Sequence, residues 1–264
     1  MKIFDVHAHI YPEKIALKAA KSIGDFYFGY PIAGTGCLED CVARMDRAGI
    51  EKFAAHSVAL TPHNVLSINR FILECHKKYP DRIVPFAAMH PDVPDPEAAV
   101  DEIVAAGFRG IKLHPDMQGF AVDSDRALPM MRAIAGKLPL LVHCGDVRYD
   151  FDGPKRMLSL HEKVPELQLI CAHLGGWMEW DDAARIMPEH NLIVDLSSAI
   201  FHWEPSEAAD VLRTYGTKKV LFGSDYPMWS PDIEVERFMR IPLTDQERSD
   251  ILWNNADRLL HLEL

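Results

Sequence analysis

A closed (β/α)8 barrel is the fold class predicted for this chain, and three observations predict it. Eight short apolar runs alternate with longer amphipathic stretches, the pattern of a parallel sheet wrapped in helices. After the first unit, the starts of those runs recur roughly every 24 to 31 residues, about one βα unit. The length of 264 residues suits one barrel, so a single domain over residues 1–264 is expected.

Each element has its own justification. The run KIFDVHA opens the chain and carries His7 and His9, which alternation puts on one strand face together with Asp5. The remaining strands are KFAAHSVAL, IVPFAAMH, FRGIKLH, PLLVHC, LQLICAHL, LIVDLSS and KVLFGSD, rich in β-branched and aromatic residues. The helices between them are LEDCVARMDRAG, VLSINRFILECHKKYP, PEAAVDEIVAAG, DRALPMMRAIAGK, PKRMLSLHEKV, MEWDDAARIM, PSEAADVLRTYG and DIEVERFMR. Several end in Gly or run into Pro, which stop helices. A last helix, TDQERSDILWNNADRLLHL, has Thr244 as its cap and Glu247 at the capping-box position. The connection from Ile10 to Gly36 is too long for an ordinary βα turn. Its aromatic stretch DFYFGYPIAGTG either caps the pocket mouth or forms a small core against the barrel wall.

Composition excludes several classes. Lysine and arginine total 28 against 39 acidic residues, a net charge of −11, which argues against nucleic acid or an anionic membrane as partner. No leader pattern opens the chain and no apolar run reaches membrane-spanning length, so a cytoplasmic protein is expected. The five cysteines are odd in number and form no CxxC pair, which fits reduced thiols. The oligomeric state, a homo-oligomer included, is not encoded legibly.

In a barrel the C-terminal strand ends converge, so distant residues become neighbours. Strand one ends in His7 and His9, strand four in Lys112 and His114, strand five in His143, strand six in His173 and strand eight in Asp225. Burying so many polar groups is costly unless something satisfies them, and one divalent cation satisfies several at once. A metal centre is expected there.

The motifs FDVHAHI, GIKLHP, LVHCGD, CAHLGG, FGSDYP and the closing NNADRLL resemble the amidohydrolase superfamily, in particular its branch containing aminocarboxymuconate semialdehyde decarboxylase-like proteins. The resemblance implies that His7, His9, His143 and Asp225 ligate the metal. It implies that His173, not a ligand in mononuclear members, polarises water or substrate. Three imidazoles and a carboxylate suit one zinc ion, which would activate a water. His173 or Asp225 would then move the proton. A lysine on strand four is carboxylated in some members and bridges two metals; Lys112 is either that ligand or a free ammonium near a substrate carboxylate. Asp5 is read as support for the ligands or as the partner of a buried cation. His114 and Arg148 are the remaining substrate-contact candidates, for a small and anionic compound. Trp177 and Trp180 wall the pocket or anchor a helix; His56 and His90, near the ends of strands two and three, are expected to be ordinary hydrogen-bonded histidines, with pocket lining as the alternative. The expected activity is hydrolysis of a small amide, lactone or related carbonyl compound, with non-oxidative decarboxylation of a carboxylated substrate as the alternative. A barrel that keeps metal only as a structural element is the reading from another class.

Overall fold

The computed structural model describes residues 1–262. Eight strands stand side by side in chain order, and every neighbouring pair from β1 to β8 is parallel. They are β1 (Phe4–His9), β2 (Lys52–His56), β3 (Ile83–Ala88), β4 (Gly110–Leu113), β5 (Leu140–Val142), β6 (Leu169–Cys171), β7 (Ile193–Asp195) and β8 (Val220–Leu221). The ring closes between β8 and β1. Val6 N–H donates to the Phe222 carbonyl at 2.9 Å, Asp225 N–H to His7 at 2.8 Å and His9 N–H to Tyr226 at 2.7 Å. The expected (β/α)8 barrel is the observed fold.

Alternation along the strands sorts the apolar side chains into two layers. Phe4, Val6, Ala54, Val84, Phe86, Leu141, Ile170, Ala172 and Leu221 fill the interior, where Trp253, Ala256 and Leu260 join them. Ala8, Phe53, Ala55, Ile111, Leu113, Leu140, Val142, Cys171 and Val194 point outward to the helices. The inward phase continues upward into His56, Lys112, His114 and His143, so the strands that build the core also aim the candidate site.

A bulge in β1 changes one expectation. Its register against β2 slips between Asp5 and Ala8, so Val6 and His7 both face inward. Asp5, between inward-facing Phe4 and Val6, therefore points away from the two histidines rather than sharing their face. Among the described residues no buried lysine or arginine satisfies it; its Oδ1 accepts the backbone N–H of His7 at 2.9 Å and of Ser224 at 3.0 Å, tying β1 to the segment just after β8.

The long first connection, in which the sequence pattern shows no helix, holds one, α1 (Glu13–Phe26). Ala16, Ala20 and Gly24, four residues apart, form its narrow buried stripe. Gly24 lets the chain fold back closely: a Cβ there would stand 2.6 Å from the Tyr30 carbonyl oxygen. The outer layer continues with α2 (Leu38–Arg47), α3 (Val65–Lys78), α4 (Pro96–Ala105), the single turn α5 (Pro115–Gln118), α6 (Leu128–Ile134), α7 (Pro154–Lys163), α8 (Trp180–Ile186), α9 (Pro205–Tyr215) and α10 (Pro231–Met239). The final helical stretch is α11 (Asp245–Ser249), a π turn at Asp250–Asn254 and α12 (Asn255–Leu260), and Thr244 and Glu247 form the expected capping box. None of the described helices is long and apolar enough to cross a membrane.

Candidate metal centre

The polar strand ends do converge. His7, His9, His114, His143, His173 and Asp225 line one cavity of about 350 Å³ at the C-terminal end of the strands. His7 Nε2 is 3.2 Å from His9 Nε2 and 3.4 Å from Asp225 Oδ1, and that oxygen is 3.7 Å from His9 Nε2. His173 Nε2 lies 3.0 Å from His143 Nδ1, and the His7 and His173 rings stack with centroids 5.2 Å apart. His114 stacks flat on His143 at 3.9 Å.

Burial keeps these imidazoles neutral: it pushes His7, His9, His114 and His143 well below the ordinary histidine range, helped by neighbouring cationic groups, and His173 down to about 4. Each neutral ring then carries one N–H and one lone pair, and the hydrogen bonds assign which is where. A carbonyl oxygen only accepts, so His143 carries its proton on Nε2, 2.8 Å from the Gly145 carbonyl, and His173 on Nδ1, 2.9 Å from that of Ser197. The Asp195 carboxylate, 2.9 Å from His7 Nδ1, fixes the His7 proton there. Lone pairs therefore remain on His143 Nδ1 and His173 Nε2, which face each other, and on His7 Nε2, which faces the Asp225 carboxylate. Converging lone pairs repel unless positive charge lies among them; at His7 Nε2 the buried Lys112 ammonium, 3.1 Å away, supplies it in the metal-free site, while the facing pair on His143 and His173 has no such cation within hydrogen-bond distance among the described residues. This donor set fits a divalent cation.

Asp195 and Ser197, at and just beyond the end of β7, were missed by sequence reasoning. Asp195 Oδ1 accepts from Ser197 N–H at 2.9 Å, from His173 N–H at 3.3 Å and from the Ser197 hydroxyl, while Oδ2 holds His7. One carboxylate thus orients two of the histidines. The signal was present in LIVDLSS, whose aspartate ends a strand as the recognised residues do. Ser198 was missed too. Its hydroxyl donates to Asp225 Oδ2 at 2.6 Å and accepts from Trp229 Nε1 at 2.8 Å. His173, Ser198 and Asp225 hold left-handed backbone conformations, with φ of 58°, 50° and 60°, strain of a kind concentrated at functional sites.

Two of the substrate-contact candidates make contacts within the protein. Lys112 is fully buried and lies off the cavity wall, behind the histidines, where its ammonium donates to His7 Nε2 at 3.1 Å. Burial lowers its pKa to about 8. Arg148 is likewise absent from the wall: Nε reaches buried Asp146 at 2.9 Å, Nη1 donates to the Phe26 carbonyl at 2.7 Å, and the guanidinium stacks on Phe26 and Phe28. It clamps the first connection to the loop after β5. His114 does line the cavity, and its Nε2 meets the Tyr27 hydroxyl at 2.8 Å.

The first connection is both lid and aromatic core. Ile15, Lys18, Ala19, Ser22, Ile23 and Tyr27 line the cavity, while Tyr27 packs edge-on against Trp177 at 4.9 Å. Trp177 and Trp180 are anchors rather than wall; the Trp180 ring packs on His202 at 4.4 Å. His90 is the ordinary histidine expected, accepting the Asp92 N–H at 3.2 Å. His56 is not: it is fully buried, and neither ring nitrogen has a partner among the described residues. Such an unsatisfied group costs about 1–3 kcal/mol.

A family model described as amidohydrolase matches residues 4–262. The gamma-resorcylate decarboxylase of Polaromonas sp. strain JS666 is 24% identical over 250 residues, covering 74% of this chain and 75% of that protein. Among solved structures, an uncharacterised TIM-barrel protein of Bordetella bronchiseptica superposes with a TM-score of 0.77 at 21% identity, covering 99% of each chain. A dihydroxybenzoic acid decarboxylase from Polaromonas sp. JS666, with bound manganese and the inhibitor 2-nitroresorcinol, gives 0.76 at 17% identity over 100% of this chain and 98% of its own. The 5-carboxyvanillate decarboxylase of Novosphingobium aromaticivorans, complexed with manganese and 4-hydroxy-3-methoxy-5-nitrobenzoic acid, gives 0.72 at 20% identity over 99% and 96%. These relatives overturn the expected hydrolysis of an amide or lactone: those named for an activity are decarboxylases, the alternative reading. The expected divalent metal is supported by the histidine and aspartate clusters, while the two metal-bearing structures named here hold manganese and give zinc no support.

Proposed function

The chain belongs to the amidohydrolase family, and from that premise we propose that it is a metal-dependent, non-oxidative decarboxylase of a small aromatic carboxylic acid. The observation that carries the reading is the two-part cavity. Its inner end is the His/Asp cluster; its outer wall is apolar, made by Ile15, Ala19 and Ile23 of α1 with Val58, Leu60, Met117 and Met228. A flat ring bearing a carboxylate matches that division. The related decarboxylases, two of them with manganese and a nitrated aromatic ligand, support the same substrate class.

His7, His9, His143 and Asp225 would hold one divalent cation, which manganese in the relatives supports. Bound there, it would supply positive charge that holds an anionic substrate and draws electron density from it. Asp195 keeps His7 Nε2 free of its proton, and Ser198 keeps Asp225 aimed at the histidines. The apolar wall and the lid exclude water from the ring. The bond between ring carbon and carboxyl carbon breaks, its electron pair stays on the ring carbon, that carbon takes one proton and CO2 leaves. No oxidant is needed. His173 and Asp225 line the cavity, and one of them would deliver the proton after first taking it up at an atom that is bare in the resting site, His173 Nε2 or an Asp225 carboxylate oxygen. Lys18, exposed on the lining, can meet a second anionic substituent. Incubating metal-loaded protein with hydroxylated benzoates in deuterated water tests this: CO2 release with one deuterium at the vacated carbon is expected. Turnover of such acids without CO2, or none across the panel, overturns it.

A further inference from the structure

We propose that His56 belongs to the cation site, as a third imidazole beside His7 and His9. This rests on the cation reading of the centre and goes beyond the ligand set given above.

The placement comes from the barrel itself. His56 ends β2 directly across from His9 in the parallel register, and Ala54 before it points into the barrel, so His56 does too. Its ring stands edge-on to His9 with centroids 4.4 Å apart and 5.2 Å from His7. One donor nitrogen each from His7, His9 and His56 lie within 4.8 Å of one another. Nitrogens sharing one cation at ordinary bond lengths of about 2.1 Å can be at most about 4.2 Å apart. Small rotations of the rings close the difference.

Other roles fit poorly. His56 is fully buried and off the cavity wall, so substrate does not reach it. Neither nitrogen finds a carbonyl, carboxylate or hydroxyl among the described residues, so it orients nothing by hydrogen bonding. As mere packing against Phe86, 6.4 Å away, a phenylalanine would serve without two unsatisfied nitrogens. An imidazole whose lone pair reaches a cation shared with His7 and His9 accounts for the residue type, its depth and its lack of partners.

The test strips the protein of metal and titrates it with cobalt(II), followed by visible absorption, and with manganese(II) against a competing chelator. Wild-type protein, His56→Phe and His56→Asn are compared. Wild type should take up one equivalent. Both variants should bind at least about 10-fold more weakly, with an altered cobalt spectrum reporting the lost nitrogen. Unchanged affinity and spectrum in both variants overturn the proposal while leaving the cation reading intact; a wild type that binds neither metal overturns both. Should the variants fail to fold, wild type loaded with cadmium-113 decides: nitrogen–cadmium coupling at His56 is expected, and its absence when His7 and His9 show theirs contradicts the assignment.

Discussion

Replacing Asp195 by Asn should disable the centre without unfolding the barrel, because it changes the tautomer of His7 and little else. Oδ1 of Asp195 serves three donors, the backbone N–H groups of Ser197 and His173 and the Ser197 hydroxyl, whereas Oδ2 serves only His7 Nδ1. The Asn amide therefore keeps its oxygen toward the three donors and turns its NH2 toward His7. An NH2 facing an N–H is repulsive, so His7 moves its proton to Nε2, the atom that faces Asp225 at 3.4 Å and His9 at 3.2 Å, and the Lys112 ammonium, 3.1 Å from it, turns aside. That nitrogen then has no lone pair to offer. Loss of such an orienting partner weakens metal binding about 10–100-fold, equivalent to about 1.4–2.8 kcal/mol. Chelator-competition titrations of the wild type and Asp195→Asn with manganese measure it, with thermal melting of the metal-free proteins as the control for folding. Equal affinities within about twofold, in a variant that melts like the wild type, would refute the tautomer argument.

Three other perturbations follow from the same geometry. Arg148→Ala leaves the buried Asp146 carboxylate unpaired and releases the lid, so stability should fall by about 2–4 kcal/mol in denaturant titrations. Affinity for an anionic and a neutral inhibitor of one shape should fall by the same factor; a selective loss of the anion would show that Arg148 does reach substrate. Glu247 is held at about 2, below its ordinary 4.5, first by its hydrogen bond from Arg213 and then by the Thr244 N–H. A depressed carboxylate pKa contributes stability above the unfolded value that disappears as pH falls through the folded one, so the melting-temperature gap between wild type and Glu247→Gln should be constant above about pH 5 and shrink toward pH 2. A gap that widens on acidification contradicts the sign. In Gly110→Ala the new Cβ would stand 2.6 Å from the Phe86 ring inside the barrel, and a ring packed there cannot yield cheaply. A loss of about 1–3 kcal/mol is expected, and less than about 0.5 would mean the interior is looser than its packing indicates.

What could be read from sequence was whatever repeats or alternates. Strand periodicity exposed all eight strands, and strand-end histidines exposed the convergence of His7, His9, His143, His173 and Asp225, because register needs only local information. The β1 bulge was invisible since it depends on how β1 pairs with β2 and β8, and it changed the facing of Asp5. Helix α1 hid behind small residues: its buried stripe is Ala16, Ala20 and Gly24, too weakly apolar to stand out beside the aromatic stretch that follows. The fates of Lys112 and Arg148 turned on partners far away in sequence, His7 and Phe26, which no local pattern names. His56 is legible as a strand-end histidine, but its lack of hydrogen-bond partners depends on neighbours that only the fold brings together.

The most direct measurement is the divalent metal content per chain of purified protein, followed by CO2 release from a hydroxylated benzoate after chelation and after readdition of manganese. One equivalent per chain, activity lost on chelation and regained on readdition, and neither retained in His7→Ala is the predicted result. Full CO2 release from protein stripped of metal would contradict the account.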